Sequence, residues 1–404
     1  MSDKQGFVRL LKFEDACSDL PEVSPWDGAC APFDVFICAL GFEDRAPAIS
    51  QQIAASTQRS EDRRAVIFQY PGNELDNEKN RDALFGAASS FCGQVVVAAA
   101  DVPQTMRQAV RSAVLASHER RKRRVVFDIS AASGNLILSV MYALIELREC
   151  VELEILYSEP QDYFPDRTSY ESAPQALIEE ALKPGDESSM VEFGVAEVEV
   201  NELFPGAELE SRPELVIAIP AFRTSRLVRC LQHLTDQPLA SPAESVFWIL
   251  GGPPSSALHW RTAYQKHIVN TLMARLVGME PSDGLAPKLN EKNCEVCSTL
   301  EYKDILRTLM HQVDVRTGQS LSIVHMGSKM QAIGVALCLA VRSEVRVCGA
   351  RPQQFNASQY SRGVGAKWRL DLAGLEKIVD RLGRVGTLEL QTKLETDREP
   401  RPSI

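Results

Sequence analysis

The sequence predicts an α/β chain of two tandem, doubly wound domains, each built on a mainly parallel sheet and related to the other by internal duplication. Three observations predict it. Short apolar runs alternate with helix-periodic stretches along the chain, joined by brief turns rich in proline, glycine and small polar residues. The strand-like runs, such as VFICAL (35 to 40) and ELVIAI (214 to 219), are apolar throughout, as strands covered on both faces must be. Six successive segments of the first half then recur, in the same order, in the second.

The segments pair as follows. FDVFICALGFEDRA (33 to 46) answers PELVIAIPAFRTSR (213 to 226), setting Ile37 opposite Ile217 and Phe42 opposite Phe222. AVIFQYPGNELDNEKNRDAL (65 to 84) answers SVFWILGGPPSSALHWRTAY (245 to 264), each a strand, a Pro/Gly turn and a helix. QVVVAAADVPQTMRQAV (94 to 110) is echoed by EVCSTLEYKDILRTLM (295 to 310), and RVVFDISAASGNLILSVMYAL (124 to 144) by LSIVHMGSKMQAIGVALCL (321 to 339). LEILYSEPQ (153 to 161) lines up with VRVCGARPQ (345 to 353), and EFGVAEVEVNEL (192 to 203) with SRGVGAKWRLDL (361 to 372). Identities are few; the shared order carries the inference. The expected organisation is an N-terminal arm (1–32), a first Rossmann-like repeat (33–164), an acidic linker with an edge strand (165–212), a second repeat (213–372), and a C-terminal helix with a polar tail (373–404).

Composition narrows the function classes. With 404 residues, 45% of them hydrophobic, the chain can bury ordinary globular cores in two or three domains. Lys and Arg number 44 against 54 Asp and Glu, and a net charge of -10 argues against coating nucleic acid by bulk electrostatics. The ten cysteines are scattered, several within apolar runs, as expected of reduced thiols in a cytoplasmic protein. Cys294 and Cys297 have the spacing of half a zinc site, but no second pair or histidines follow, so no metal or cofactor is expected. No run approaches 18 apolar residues and the first residues carry charges, so neither a membrane span nor a signal peptide is expected.

In doubly wound sheets ligands lie beyond the C-terminal ends of the strands, where the βα turns gather. Four turns qualify: Gly41 to Arg45, Ser130 to Asn135, Phe222 to Ser225 and Met326 to Lys329. If two similar domains pack about a pseudo-two-fold axis, these turns enclose one pocket. In the first, Gly41, Glu43, Asp44 and Arg45 combine two carboxylates at the expected start of a helix with a guanidinium that can pair with them or reach a ligand. In the third, Arg223 and Thr224 suit an anion better. Asp128 ends a strand beside Ser130, Ser133 and Asn135, and either serine can cap the helix that follows. Its counterpart His325 could form an acid/base pair with it across the pocket. Met326, Gly327, Ser328 and Lys329 form a small anion cradle at a helix start, while the same turn can equally carry its glycine for packing alone. Tyr157, Tyr163, Tyr360 and Arg362 close the repeats and could stack on a base. The basic run HERRKRR (118 to 124) lies at the opposite end of the sheet and reads as a solvated helix end.

The HMGSKMQAIGVAL segment (325 to 337) resembles the signature turn of CARF domains, the CRISPR-associated Rossmann-like sensors, with Gly327, Ser328, Lys329 and Met330 matching its small-residue, lysine and methionine positions. The counterpart DISAASGNLILSVMYAL (128 to 144) keeps only the small polar turn, without the lysine. LGFEDRA (40 to 46) is similar in position to that family's other ligand loop. The tandem arrangement resembles the SAVED domain, which looks like two fused CARF units. The resemblance implies a sensor of a nucleotide-derived second messenger, such as a cyclic oligonucleotide, bound between the halves in prokaryotic antiviral defence and signalling to a separate effector protein. It leaves open a nucleotide-processing enzyme that uses Lys329 with Ser328, or Asp128 with His325, and a scaffold subunit without chemistry.

Overall fold

In the computed structural model, the described residues are 12–72, 74–116, 121–183, 192–193, 195–207, 212–316, 318–352, 354–355 and 360–385. The first part of the N-terminal arm, residues 118–120 of the basic run, parts of the acidic linker and the polar tail from 386 lie outside them.

The first half lays down strands β1 (Val35–Leu40), β2 (Ser60–Gln69), β3 (Cys92–Ala99), β4 (Arg123–Asp128) and β5 (Val151–Ser158), alternating with helices α1 (Ala48–Ser56), α2 (Glu74–Phe91), α3 (Pro103–Leu115) and α4 (Gly134–Glu146). After the linker comes β6 (Glu197–Val200). The second half repeats the scheme with β7 (Glu214–Ile219), β8 (Val246–Gly252), β9 (Cys294–Ser298), β10 (Ser320–His325) and β11 (Arg346–Arg351), and with helices α5 (Ser225–Leu234), α6 (Trp260–Leu276), α7 (Tyr302–Val315) and α8 (Lys329–Leu339). A last strand, β12 (Lys367–Leu372), precedes the helix Leu375–Leu382.

Both sheets have the same strand order. The parallel core of the first runs β5-β4-β1-β2-β3 and that of the second β9-β8-β7-β10-β11, the same order read from the opposite edge. This is the Rossmann-like doubly wound arrangement, in which the chain reverses its direction of growth between the first strand and the fourth. The switch point therefore lies between β1 and β4 in one half and between β7 and β10 in the other.

The outermost strands are exchanged. β6 follows the first repeat in sequence but pairs antiparallel with β11 of the second sheet. β12 follows the second repeat but pairs antiparallel with β5 of the first, with Leu370 opposite Ile155. Residues 367–372 thus belong to the second repeat by sequence order and to the first sheet by hydrogen bonding. A buried carboxylate fastens this exchange: Glu154 on β5 meets Arg124 of β4 at 2.8 Å and Arg369 of β12 at 2.9 Å.

Side-chain alternation explains how the halves join. Val35, Ile37 and Ala39 of β1 face one apolar cluster while Phe36, Cys38 and Leu40 face another, where Ile49, Ile53 and Leu84 of α1 and α2 cover them. In β7, Leu215, Ile217 and Ile219 face the first of these clusters, and Val216 and Ala218 face away from it. The inner faces of both sheets, with α3, α4, α7 and α8 between them, therefore form one continuous core. That position accounts for the composition of α4 and α8, which are apolar nearly all round because most of their residues are buried. Within α8, Gly334 admits α7 closely: a Cβ there would lie 2.5 Å from the Tyr302 carbonyl oxygen.

Candidate functional site

α4 and α8 occupy equivalent places in their repeats and pack against each other at the interface between the halves. Their first turns bring the two switch points together, and Lys329 is the side chain that crosses. Its Nζ donates to the Ala132 carbonyl of the first half at 2.8 Å and lies 3.7 Å from Glu43 Oε1.

Around Lys329 the first half builds a buried polar cluster. Residues 42–47 form turns and α1 starts only at Ala48, so Glu43 and Asp44 do not sit in a helical first turn as expected. They are held by side chains instead. Glu43 Oε2 accepts from Arg45 Nε at 2.8 Å, from the same guanidinium's terminal nitrogen at 2.5 Å and from Ser361 Oγ at 2.7 Å. Arg45 also donates to Tyr157 Oη at 3.2 Å and to the Ser158 carbonyl at 2.9 Å, and Tyr157 Oη lies 3.4 Å from Tyr163 Oη. Asp44 accepts from Lys79 Nζ and from the Gly363 backbone N–H. Asn80 of α2 donates to the carbonyls of Gly41 and Glu43, each at 2.8 Å, and fixes the turn from behind. Gly41 is required by proximity: a Cβ would fall 2.9 Å from that of Ala131.

The fourth-strand turns are capped from within. Asp128 Oδ1 accepts from the Ser130 N–H and hydroxyl, and Ser130 Oγ accepts from the Ser158 N–H. Ser133 caps α4 by accepting from the Leu136 N–H, and its own N–H donates to Tyr70 Oη. Asn135 Oδ1 accepts from Asn201. In the second half Ser328 and Gln331 form a reciprocal capping box, and Ser328 Oγ also donates to the Thr299 carbonyl at 2.6 Å. Gly327 is fitted to this box, since a Cβ would lie 2.4 Å from Gln331 Oε1 and 2.6 Å from Ile219. The Ser328 hydroxyl and N–H are thus taken up internally, and Met326 continues the sheet by donating to the Ile219 carbonyl. Of the expected cradle, the Lys329 ammonium is what points toward the other half.

Burial and charge tune the cluster. Burial raises the Asp128 carboxyl to about 6, against the lowering effect of Ser130, Arg45 and Lys329. Burial also pushes the Lys329 ammonium down to about 8, against the pull of Glu43. For Glu43 burial acts upward, but Arg45, Lys329 and Ser361 hold its carboxyl below the ordinary glutamate value.

No hydrogen bond or ion pair joins Asp128 to His325 among the described residues, which corrects the expected acid/base pair. His325 instead abuts α4, where a Cβ on Gly134 would come within 3.0 Å of its Nδ1, and burial keeps the imidazole neutral down to about 4. Arg223 and Thr224 are buried at the second half's equivalent turn, with Thr224 bound to the Ala181 carbonyl. Tyr360 packs edge-on against Phe42 at 5.4 Å. The basic run is neutralised where it is described: Arg121 and Arg123 meet Asp34, Lys122 meets Glu376 and Arg124 meets Glu154. Ser361, Asn80 and Tyr70 complete the site without any signal in the sequence, because each reaches it from an element distant in the chain.

Among the described residues no group of three or more metal-ligating side chains occurs, and no helix is long and apolar enough to cross a membrane. No family model matches the chain, and no curated protein matches it. Solved structures match it only at low TM-scores. They include AtPrR2 in apo form (15% identity over 69% of this chain and 85% of that one, TM-score 0.22). The cytoplasmic domain of a prokaryotic cation chloride cotransporter matches at 7% identity over 81% and 99%, TM-score 0.22, and OtsA in its apo structure at 9% over 92% and 100%, TM-score 0.18. Likenesses at these scores carry no argument about ligand or activity, and the fold class rests on strand order and register.

Proposed function

We propose that this chain is a CARF/SAVED-like sensor that binds a nucleotide-derived second messenger at the shared switch point and passes the signal to a separate effector by shifting its halves, in prokaryotic antiviral defence. The observation that carries the reading is Lys329, an ammonium from one half held against a carbonyl and a carboxylate of the other. A phosphate group arriving there competes with Glu43 for that ammonium. Binding then exchanges a contact between the halves for a contact to the ligand, which is the differential interaction a conformational signal requires.

The test is to incubate the purified chain with cyclic oligonucleotides, linear oligonucleotides and mononucleotides while following thermal stability and nucleotide chromatography together. Stabilisation with the ligand recovered intact supports the sensor. Lys329→Ala is expected to weaken binding by about 1.5–3 kcal/mol, the range of a charge-assisted hydrogen bond. A folded Lys329→Ala protein that binds every nucleotide as the parent does sinks the reading.

One observation favours a second reading, a nucleotide-processing enzyme. Asp128 at about 6 and Lys329 at about 8 are buried together and titrate on either side of neutrality, as a proton-transferring pair would. Loss of the ligand from the chromatogram with appearance of a product distinguishes it.

A further inference from the structure

The two sheets end differently. β3 and β9 hold equivalent places in the repeat, and each is the outermost strand of its sheet, paired on one side only among the described residues. At β9 charge guards the free edge: Glu295 is exposed within the strand, and Glu291 and Lys292 are exposed just before it. Charged side chains at a sheet edge discourage a further strand from pairing there. β3 has no such guard. Residues 92–100 read CGQVVVAAA, with neither charge nor proline, in a chain of which 24% is charged. Val96 and Val97 are 45% and 47% exposed, and because neighbours along a strand point to opposite faces, the edge is open on both. A bulge between Ser60 and Arg64 of β2 disturbs only the start of the pairing; from Gln94 to Ala99 the register is continuous.

The open surface extends onto α3. A surface cavity of about 660 Å³ lies between this strand and the helix, lined by Val96 and Val97 together with Gln104, Thr105, Gln108 and Ser112, and its single charged lining residue, Arg64, sits one strand in from the edge. Leu115 at the end of the helix is also exposed. The arginines of α3 are engaged elsewhere, since Arg107 and Arg111 meet Glu146 of α4 at 2.6 and 3.6 Å. The result is an apolar, uncharged patch beside a regular strand edge. Its charge selects what can cover it. The chain carries a net charge of -10, so two copies repel unless the contact itself is uncharged. Across a two-fold axis each surface meets its own copy, so that a charge in the patch would be met by a like one. The β3 patch satisfies that condition. The β9 edge, with Glu295 in the strand, does not, and a strongly acidic or basic partner finds no opposite charge along β3.

We propose that the β3 edge pairs with β3 of a second copy of this chain, antiparallel across a two-fold axis, joining the two first-half sheets into one continuous sheet flanked by the two α3 helices. An edge strand supplies a row of backbone donors and acceptors, and an identical edge offers the matching row. Val96 and Val97 are buried in the contact. The inference is independent of the sensor reading, because it uses no residue of the Lys329 site.

The experiment is sedimentation velocity on the full chain over roughly 1–100 µM, the range in which a micromolar dimer forms and dissociates. Expected is a monomer–dimer equilibrium, with slower amide hydrogen exchange over residues 94–99 as the concentration rises. Val97→Lys places a charge at the edge and is expected to weaken the dimer about ten- to a hundredfold, and Val96→Lys to do the same from the other face. Val296→Lys, the same change at the β9 edge, should leave the dimer intact. Circular dichroism and melting of dilute protein establish that each variant is folded. A parent that stays monomeric throughout overturns the proposal, as does a dimer that survives both Val97→Lys and Val96→Lys. An assembly that Val296→Lys also dissociates, or that grows beyond two copies, means head-to-tail contact and overturns the two-fold pairing.

Discussion

The two switch points started from the same segment and solve different problems. In the first half the turn after β1 carries Glu43 and Arg45 and closes on itself as an ion pair, completed from the second half by Lys329. In the second half the matching positions hold Arg223 and Ser225, and the helix start of the first half, at α4, bears Gly134 where α8 bears Lys329. The charges at the first turn are complementary: the lysine of the second half enters beside a glutamate of the first. His325 fills the space that the glycine leaves. A duplicated interface can therefore specialise by one exchange of sign, since the half-buried Lys329 lies beside the carboxylate of Glu43.

The comparison is broken most severely at Glu43. Glu43→Ala leaves Arg45 and Lys329 buried without their shared carboxylate, and denaturant unfolding is expected to show a loss of about 3–5 kcal/mol. A loss below about 1 kcal/mol would mean the network is not what holds the halves together. Next is the pH dependence of Asp128, whose counterpart His325 stays neutral. Its carboxyl titrates near 6 when folded and near 3.8 when unfolded, so the folded state holds the extra proton between those values. Its contribution is complete below about 4 and is lost as pH rises through 6, by about 3 kcal/mol. Asp128→Asn, which keeps an acceptor for Ser130, is expected to flatten the stability profile across that window.

Smaller effects test the capping serines. Ser328→Ala removes a cap, its reciprocal box and a bond to Thr299 and should cost about 2 kcal/mol, whereas Ser133→Ala removes a simple cap and should cost about 1 kcal/mol. Equal losses would show that the box adds nothing. The smallest is at the glycine: Gly134→Ala presses on His325 and is expected to cost about 1 kcal/mol by crowding. Adding His325→Ala should make the double variant more stable than the sum of the single changes, as measured in a mutant cycle.

Much of the fold could be read directly. Strands buried on both faces are apolar throughout and helices repeat every three to four residues, so the order of elements and the duplication are written locally. The site was legible in part. The turns containing Glu43, Ser130, Ser133 and Lys329 were identifiable from their place after strands β1, β4 and β10. What Ser328 and Gly327 do was not, because the capping box that occupies them depends on Gln331, Thr299 and Ile219 meeting in space. Tyr157 and Tyr163 were ambiguous for the same reason, and Ser361, which reaches Glu43 from far along the chain, gave no signal.

By itself, then, the sequence determined that two similar doubly wound units would form, where their strands would end and which turns would crowd at those ends, since each depends on neighbours a few residues away. Tertiary structure alone decided that β6 and β12 change sheets, that Lys329 reaches into the half it does not belong to, and that Asp128 bonds to Ser130 rather than to His325. Those outcomes depend on which charges and apolar faces meet when the halves close. A pairing between residues hundreds of positions apart leaves no period along the chain.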